Sequence, residues 1–326
     1  MDQDVRTSSK GGGSTGYDLK RTGDATVALI GLPNVGKSTL LNNLTNAKSK
    51  IASHAFTTLD VIPGMMKYDG ARIQILDLPG IIKGAASGKG FGKKILSVAR
   101  SADLILLMLD VFHPDQSPIL RKELSQMGIR LDESPPDVVM KKKSSGGIVI
   151  NTTIPDLQTD LLIKILRIYG INHAQITIRE ALDADQMIDI ISGNRVYSKS
   201  ITVVNKIDLV DKNLLAEIKR TVDSFIPISA DTDLNMKRLK RTIYQRLDLI
   251  RIYMRPKGGK TDYDEPMIIQ NGSRVLDVCN KVHRNLRRSF KHAYIWGKSA
   301  KFAGQKVGIN HILADEDVLT IIKTKD

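Results

Sequence analysis

Apolar runs of strand length alternate with helix-like segments through the first third of the chain. Ala25–Ile30 (ATVALI) reads as a buried strand, and the segment STLLNNLTNA beyond the next glycines reads as a helix. Strands are predicted around Gly64–Tyr68 and Arg72–Leu76, then a glycine-dense loop over Gly80–Gly92, a helix over Lys93–Ser101 and a strand at Leu104–Asp110 (LILLMLD). Strands alternating with helices predict a parallel α/β sheet. The rhythm changes near residue 125. Two strands, PDVVMKKK and GIVINTT, flank SSGG, and a helix (LQTDLLIKILRIYG), a strand (AQITIR) and a second helix (ALDADQMIDIISG) follow. This is too much for a loop and about right for a small α/β insert. The first sheet resumes at Ile201–Asn205, and the composition shifts again near Leu249. The expected organisation is a flexible glycine-rich segment (1–23), a first domain (24–124 with 201–248), an inserted subdomain (125–200) and a C-terminal domain (249–326).

Within the C-terminal domain, Val275–His292 has a helical pattern. Val275, Cys279, Val282, Leu286 and Phe290 form its buried stripe, while Lys281, Arg284, Arg288 and Lys291 share another face with Arg287 near it. Strands IRIYM and VLTII are expected opposite. The nearby Tyr294, Trp296 and Phe302 are expected in the core, as aromatics of a small domain usually are.

Charge and cysteine content narrow the function classes. The 326 residues carry a net charge of +14. Residues 250–326 hold 15 Lys and Arg against 8 Asp and Glu, so half of that excess lies in under a quarter of the chain. Such an excess favours polyanions: nucleic acid, ribosomes or an anionic membrane surface. The basic face of Val275–His292 is the first candidate for RNA contact, and Lys141–Lys143 of the insert is a weaker one. A single cysteine, Cys279, excludes an internal disulfide or a cysteine metal cluster and fits a reducing cytoplasm; it reads as a small buried apolar residue. No uncharged apolar stretch of about 18 residues predicts a membrane span, the N-terminus has no apolar run that would read as a secretory signal, and neither end carries a lipidation motif.

Four short motifs, in order, point to a guanine nucleotide. Gly31-Leu-Pro-Asn-Val-Gly36-Lys37-Ser38 follows a strand and opens a helix. Its glycines let backbone N–H groups approach phosphate oxygens, Lys37 is placed for the β/γ-phosphates and Ser38 for Mg²⁺. Gly31, Pro33, Asn34, Val35, Gly36, Lys37, Ser38 and Thr39 are the expected phosphate-side contacts. Asp77-Leu-Pro-Gly80 ends a second strand: Asp77 suits a water-mediated contact to Mg²⁺, and Gly80 offers a backbone N–H to the γ-phosphate. Asn205-Lys206-Ile-Asp208 ends a third. Asp208 can accept two hydrogen bonds from N1–H and the exocyclic amine of guanine, a donor pair adenine lacks. Asn205 can bond the base edge, and the Lys206 stem can pack on its face. This set argues against an ATPase or kinase. Ser229-Ala230 fits the loop over the guanine oxygen. Thr57 and Thr58 lie between the first two motifs, and Thr58 is preferred as the residue that closes on Mg²⁺ when the γ-phosphate is present. Lys37, Thr58 and Gly80 are the expected catalytic set.

IGLPNVGKSTLLNNLT, AFTTLDVIPG, ILDLPGIIKGAASGKGFGKK and VVNKIDL closely resemble the developmentally regulated GTP-binding protein family of Obg-related GTPases. The resemblance runs from about Ser8 to the C-terminus. It implies a Ras-like GTPase domain of α/β class interrupted by a small α/β insert, a C-terminal β-grasp (TGS) domain, and dedicated regulatory protein partners. Family members usually begin with a basic helical region ahead of the glycine-rich linker. This chain starts almost at the linker, so the expectation is either that an upstream segment is missing or that this member lacks the region. The resemblance also places Asn34 where potassium-dependent GTPases coordinate K⁺. Many GTPases carry a glutamine directly after Asp-x-x-Gly to orient the attacking water; Ile81 stands there and cannot hydrogen-bond water. The expectation is slow intrinsic hydrolysis, faster in K⁺ than in Na⁺, in a switch acting on ribosomes or translation. The alternative is an RNA-binding scaffold in which GTP mainly stabilises a conformation. Lys83 and Lys89 read as solvated charges near the phosphates.

Overall fold

The computed structural model describes residues 22–45, 62–80, 97–193 and 195–324. The expectations placed on the N-terminal linker, Thr57, Thr58, Ile81, Lys83 and Lys89 fall outside these residues. The described residues divide into two compact units, one holding 97–100, 118–193 and 195–199 and the other 22–45, 62–80, 101–117 and 200–324.

The larger unit is built on β1 (Ala25–Gly31), β2 (Ile62–Tyr68), β3 (Ala71–Asp77), β4 (Leu104–Asp110), β9 (Val196–Asn205) and β10 (Ile226–Pro227). Their order is β10-β9-β4-β1-β3-β2. β1 pairs in parallel with both β3 and β4, and β2 is an antiparallel edge on β3. β1 and β4 are buried along their whole length, so they are continuous apolar runs rather than alternating ones. Two helices supply one covering layer: α1 (Lys37–Thr45), through Leu40, Leu41 and Leu44, and α6 (Met236–Leu247), through Met236, Leu239, Ile243 and Leu247. These residues recur at three- and four-residue steps, as an amphipathic helix on a sheet requires. β3 lies on one side of β1 and β4 on the other, which opens a crevice at the carboxyl ends of the strands, the usual ligand position in such sheets.

The smaller unit carries a three-stranded sheet, β6 (Val138–Lys142), β8 (Ala174–Ile178) and β7 (Ile148–Thr152), under α3 (Thr159–Ile168) and α4 (Ala184–Ser192). Leu162, Leu166, Ile176 and Met187 fill its core. Asp189 is buried between Arg130 (2.7 Å) and Arg195 (2.6 Å), the first on β5 (Ile129–Leu131) and the second just before β9, so a buried acid ties the subdomain to its own stem. β5 is absent from the sequence-based expectation, and β9 begins at Val196 rather than Ile201. The opening of β9 is recruited by pairing Val196–Ser198 with β5.

The C-terminal strands β11 (Leu249–Met254), β12 (Met267–Gln270), β13 (Phe290–Trp296), β14 (Gln305–Val307) and β15 (Asp317–Lys323) form one sheet, ordered β12-β11-β15-β13-β14. The first and last strands are parallel at its centre, as in a β-grasp. The helix expected over Val275–His292 is instead two: α7 (Val275–Val282) and α8 (Arg284–Arg288). His283 is extended between them (φ −165°), and its Nδ1 caps the Asn285 N–H at 3.1 Å. From Phe290 the chain joins β15, so Lys291 belongs to a strand. Val275, Cys279 and Leu286 of the expected stripe are buried, but Val282 is 46% exposed. Tyr294 and Trp296 are not core residues, contrary to the sequence-based expectation; each is half-buried, and Phe302 is 65% exposed. Long-range strand pairing has overridden local helical periodicity.

This domain docks on the first through the far end of the β2–β3 hairpin. Ile268 of β12 joins the hydrophobic core of the nucleotide-side sheet. Arg251 reaches Asp69 in the hairpin turn (3.1 Å) and also Asp315 (2.7 Å) and Glu316 (3.0 Å). The hydrogen bond and charge of Asp315 outweigh burial and raise the arginine's pKa further. Lys281 pairs with Asp24 at 2.9 Å and donates to the Ile268 carbonyl, so it is a docking residue rather than an open cation. Tyr68 and Tyr244 meet at 5.3 Å with their rings tilted by 45°. The Arg251→Ala variant should lose about 2 kcal/mol in denaturant unfolding, because three carboxylates lose a shared donor. A loss under about 0.5 kcal/mol would mean that these pairs behave as ordinary solvated ones.

Candidate functional site

The carboxyl ends of β1, β3, β4 and β9 bring the expected motifs to one edge of the sheet. β1 ends at Gly31, where a Cβ would stand 2.5 Å from the Met108 carbonyl oxygen, and the loop turns through Asn34 (φ +63°) and Gly36 (φ +93°) into α1. At Gly36 a Cβ would meet the Asn205 amide nitrogen at 2.5 Å, so the position needs glycine for space as well as for backbone conformation. Val35 is buried, Pro33 and Asn34 are exposed at the loop's mouth, and Thr39 is half-buried on the first turn of α1. Gly80 lies so close to Pro33 that a Cβ there would be 2.7 Å from its nitrogen, which places the Asp-Leu-Pro-Gly turn against the phosphate loop.

The Lys37 ammonium folds back onto the Leu32 carbonyl at 2.8 Å. Burial lowers its pKa, and Asp77 partly offsets that. Asp77 is buried too; burial raises its pKa against the opposing effects of Ser38 and Lys37. Ser38 Oγ donates to Asp77 Oδ2 at 3.0 Å, while Asp77 Oδ1 is buried with no hydrogen-bond partner among the described residues. A hydroxyl beside a carboxylate whose other oxygen is unsatisfied fits a hard divalent cation such as Mg²⁺. A bound phosphate would likewise stabilise the charged form of Lys37.

On the base side, Asn205 is only 3% exposed, and both ends of its amide are engaged. Nδ2 donates to the Val35 carbonyl (2.9 Å), and Oδ1 accepts from the Ala230 N–H (2.9 Å). Asn205 therefore ties two loops together, and these two bonds leave one amide N–H uncommitted. Lys206 has a left-handed backbone (φ +66°), and its ammonium donates to the Asn34 carbonyl (2.9 Å) and to Asp110 (3.0 Å). Asp208 is exposed on the turn Ile207–Leu209, and its carboxylate has no partner among the described residues. Ser229 is buried, its Oγ accepting from the Thr232 N–H (3.2 Å), and Asn43 of α1 donates to the Ala230 carbonyl.

Asp110 and Phe112 were not singled out from sequence. Burial alone would raise the pKa of Asp110, but the hydrogen bonds and charges of Lys206 and His113 outweigh it and hold the carboxyl below its ordinary value. Phe112 lies under the Lys206 ammonium, 5.6 Å from ring centre. The available signal was position: LILLMLD ends in an acid at the same sheet edge as Gly31 and Asp77. Asp110→Asn should weaken GTP and GDP equally, by about tenfold, since the lost charge-assisted bond positions the base-side lysine. Paired titrations with both nucleotides test this, and a selective loss of GTP would refute it. A carboxyl held low when folded stabilises above its ordinary pKa and loses that contribution as pH falls through the folded value. The wild type and Asp110→Asn should therefore converge in stability below the ordinary carboxylate range.

Comparison with known proteins agrees with this geometry. Residues 26–142 match the 50S ribosome-binding GTPase family model, residues 145–249 the model of the C-terminal region of that domain, and residues 250–323 the TGS domain. A GTP-binding protein of Methanocaldococcus jannaschii is 50% identical over 94% of this chain and 80% of its own length. Developmentally-regulated GTP-binding protein 1 of Xenopus laevis is 45% identical over 96% of this chain and 86% of its own, and guanylate binding protein 128up of Drosophila melanogaster is 44% identical over 97% and 88%. The chain belongs to the developmentally regulated GTP-binding protein family, P-loop GTPases with a C-terminal TGS domain.

Proposed function

We propose that this protein hydrolyses GTP to GDP and phosphate, and that it acts in the cytoplasm as a ribosome-associated switch. The observation that carries the hydrolytic reading is the meeting of Lys37, the Ser38–Asp77 pair and the Asp208 carboxylate at one sheet edge. The ribosome reading is supported by the net charge of +14 and by the description of the matched GTPase model. Among the described residues no helix is long and apolar enough to cross a membrane.

The roles follow from placement. Backbone N–H groups from Asn34 to Thr39 and the start of α1 hold the phosphates, and Lys37 leaves the Leu32 carbonyl for the β/γ-phosphates. Ser38 and Asp77, with Thr58, would hold Mg²⁺, which when bound neutralises phosphate charge. Asp208 reads guanine, and Lys206, steadied by Asp110, packs on its face. Gly80 offers its N–H to the γ-phosphate and with Thr58 senses its presence. Asn34, exposed at the mouth of the loop, is available to a K⁺ ion that offsets charge developing between the phosphates. Arg287, Arg288 and Lys291 are exposed and remain candidates for RNA contact with Arg284; Lys281, engaged with Asp24, does not. A dedicated regulatory protein partner is part of this reading.

A second reading, an RNA-binding scaffold in which GTP mainly stabilises a conformation, is favoured by Ile81, which supplies no acceptor for the attacking water. The deciding experiment is GTP turnover in K⁺ and in Na⁺ while purified ribosomes are titrated, with Lys37→Ala as the control. The switch reading expects a slow basal rate, faster in K⁺, and saturable stimulation by ribosomes, all lost in Lys37→Ala. Equal rates in the two salts would remove the cation. Turnover no faster than that of Lys37→Ala at any ribosome concentration would favour the scaffold.

A further inference from the structure

The Ser229–Ala230 loop is held from two sides. Asn205, at the end of β9, accepts the Ala230 N–H at 2.9 Å, and Asn43 of α1 donates its Nδ2 to the Ala230 carbonyl. The neighbouring N–H groups are committed as well. Ile228 donates to the Val204 carbonyl (2.8 Å), Ser229 to the Leu234 carbonyl (3.2 Å) and Thr232 to Ser229 Oγ (3.2 Å). Between Ile228 and Thr232, the Asp231 N–H is the one donor without an acceptor among the described residues. Ser229 and Ala230 are each 1% exposed, whereas Asp231 is exposed. The loop therefore leaves the core at the residue whose donor is free.

The Ala230 carbonyl and the Asp231 N–H belong to one peptide plane, and in a trans peptide they point in opposite directions. Fixing the carbonyl on Asn43 therefore fixes the direction of the N–H. The same loop is joined to the turn that carries Asp208, since the Ile207 N–H donates to the Ile228 carbonyl at 3.2 Å. A free carboxylate and a free N–H thus stand on two tied turns. Guanine presents an acceptor, O6, beside the N1–H and exocyclic amine that suit a carboxylate. Asp208 alone would leave O6 unmatched, and adenine would set its own amine against the Asp231 donor.

We propose that Asn43 is a positioning residue for guanine selection: by holding the Ala230 carbonyl it aims the Asp231 N–H at O6. This deepens the guanine reading given above and rests on it. The sequence motif points to Ser229-Ala230, but the Ala230 N–H is already taken by Asn205. Helix α1 then serves both ends of the ligand. Lys37 and Ser38 face the phosphates, and Asn43, six residues after Lys37, steers the loop over the base.

The test is the dissociation constant of the full chain for GTP and for 6-thio-GTP. Sulfur, a weaker acceptor, replaces O6 in the analogue, while the groups facing Asp208 stay the same. The wild type should prefer GTP by about fivefold, the worth of one hydrogen bond. Asn43→Ala and the isosteric Asn43→Asp, which has no donor, should bring that ratio below about twofold, and Asn43→Gln should keep most of it. Asp231→Pro deletes the N–H and should act like Asn43→Ala; Asp231→Ala keeps the N–H and the ratio. A side chain that only steadied the fold would weaken both nucleotides alike. An unchanged ratio in Asn43→Ala, or a ratio near one in the wild type, would overturn the proposal. Thermal melting shows whether Asn43→Ala is folded; if it is not, the two Asp231 variants decide. Binding of GTP and ATP to the wild type and to Asp208→Asn is measured alongside. A guanine preference that Asp208→Asn abolishes, with the 6-thio-GTP ratio kept in Asn43→Ala, would leave the guanine reading and sink the role of Asn43. No preference for GTP over ATP in the wild type would overturn both.

Discussion

One carboxamide holds the nucleotide site together. Asn205 accepts from the Ala230 N–H and donates to the Val35 carbonyl, so the phosphate loop and the Ser229–Ala230 loop are joined through a single buried side chain. A net hydrogen bond contributes only about 1 kcal/mol, but a buried amide left without partners costs about 1–3 kcal/mol, so the two loops are held to this separation. Gly36 must be glycine because this amide occupies the space of its Cβ. Lys206, the next residue, repeats the tie from the other side by reaching the Asn34 carbonyl and Asp110. The distance between the phosphate loop and the Ser229–Ala230 loop is thus set by contacts within the chain itself.

Much of this could be read from the sequence. The phosphate loop is legible because its chemistry needs glycines, a lysine and a hydroxyl at fixed spacing between a strand and a helix, and the buried strands β1 and β4 are legible because they are uninterrupted apolar runs. What escaped depends on partners far away in the chain. Asp110 matters through Lys206, 96 positions on, and nothing beside it marks that role. The loop-tying role of Asn205 is set by Val35 and Ala230, 170 and 25 positions away, and a motif reading does not show it. In the C-terminal domain two periodicities compete. The three- and four-residue steps from Val275 continue as far as Phe290, but HAYIW also alternates with period two, and pairing with β15 decides in favour of the strand. That same alternation sends Tyr294 and Trp296 outward, because the inner face is already filled by Ala293, Ile295 and Leu319.

The C-terminal domain uses one end of its sheet for docking. The strands nearest β12 are pressed against the nucleotide-binding domain through Ile268, with Arg251 shared among three carboxylates at the rim. Sharing one guanidinium among Asp69, Asp315 and Glu316 means that the contact between domains and the internal order of the C-terminal turn depend on the same group. Arginine suits this place better than lysine, since its planar fork can serve several acceptors at once.

The β2–β3 hairpin has a mechanical consequence. Seven paired positions run from Ile62 opposite Asp77 at one end to Tyr68 opposite Ala71 at the other, a stiff two-stranded rod about 20 Å long. One end bears the acid beside Ser38, and the other ends in the turn clasped by Arg251. Because β3 is also paired with β1 from Ile73 to Asp77, the rod is fixed to the central sheet, and the place of the Asp69 turn that receives the C-terminal domain is set by the same strand that places Asp77.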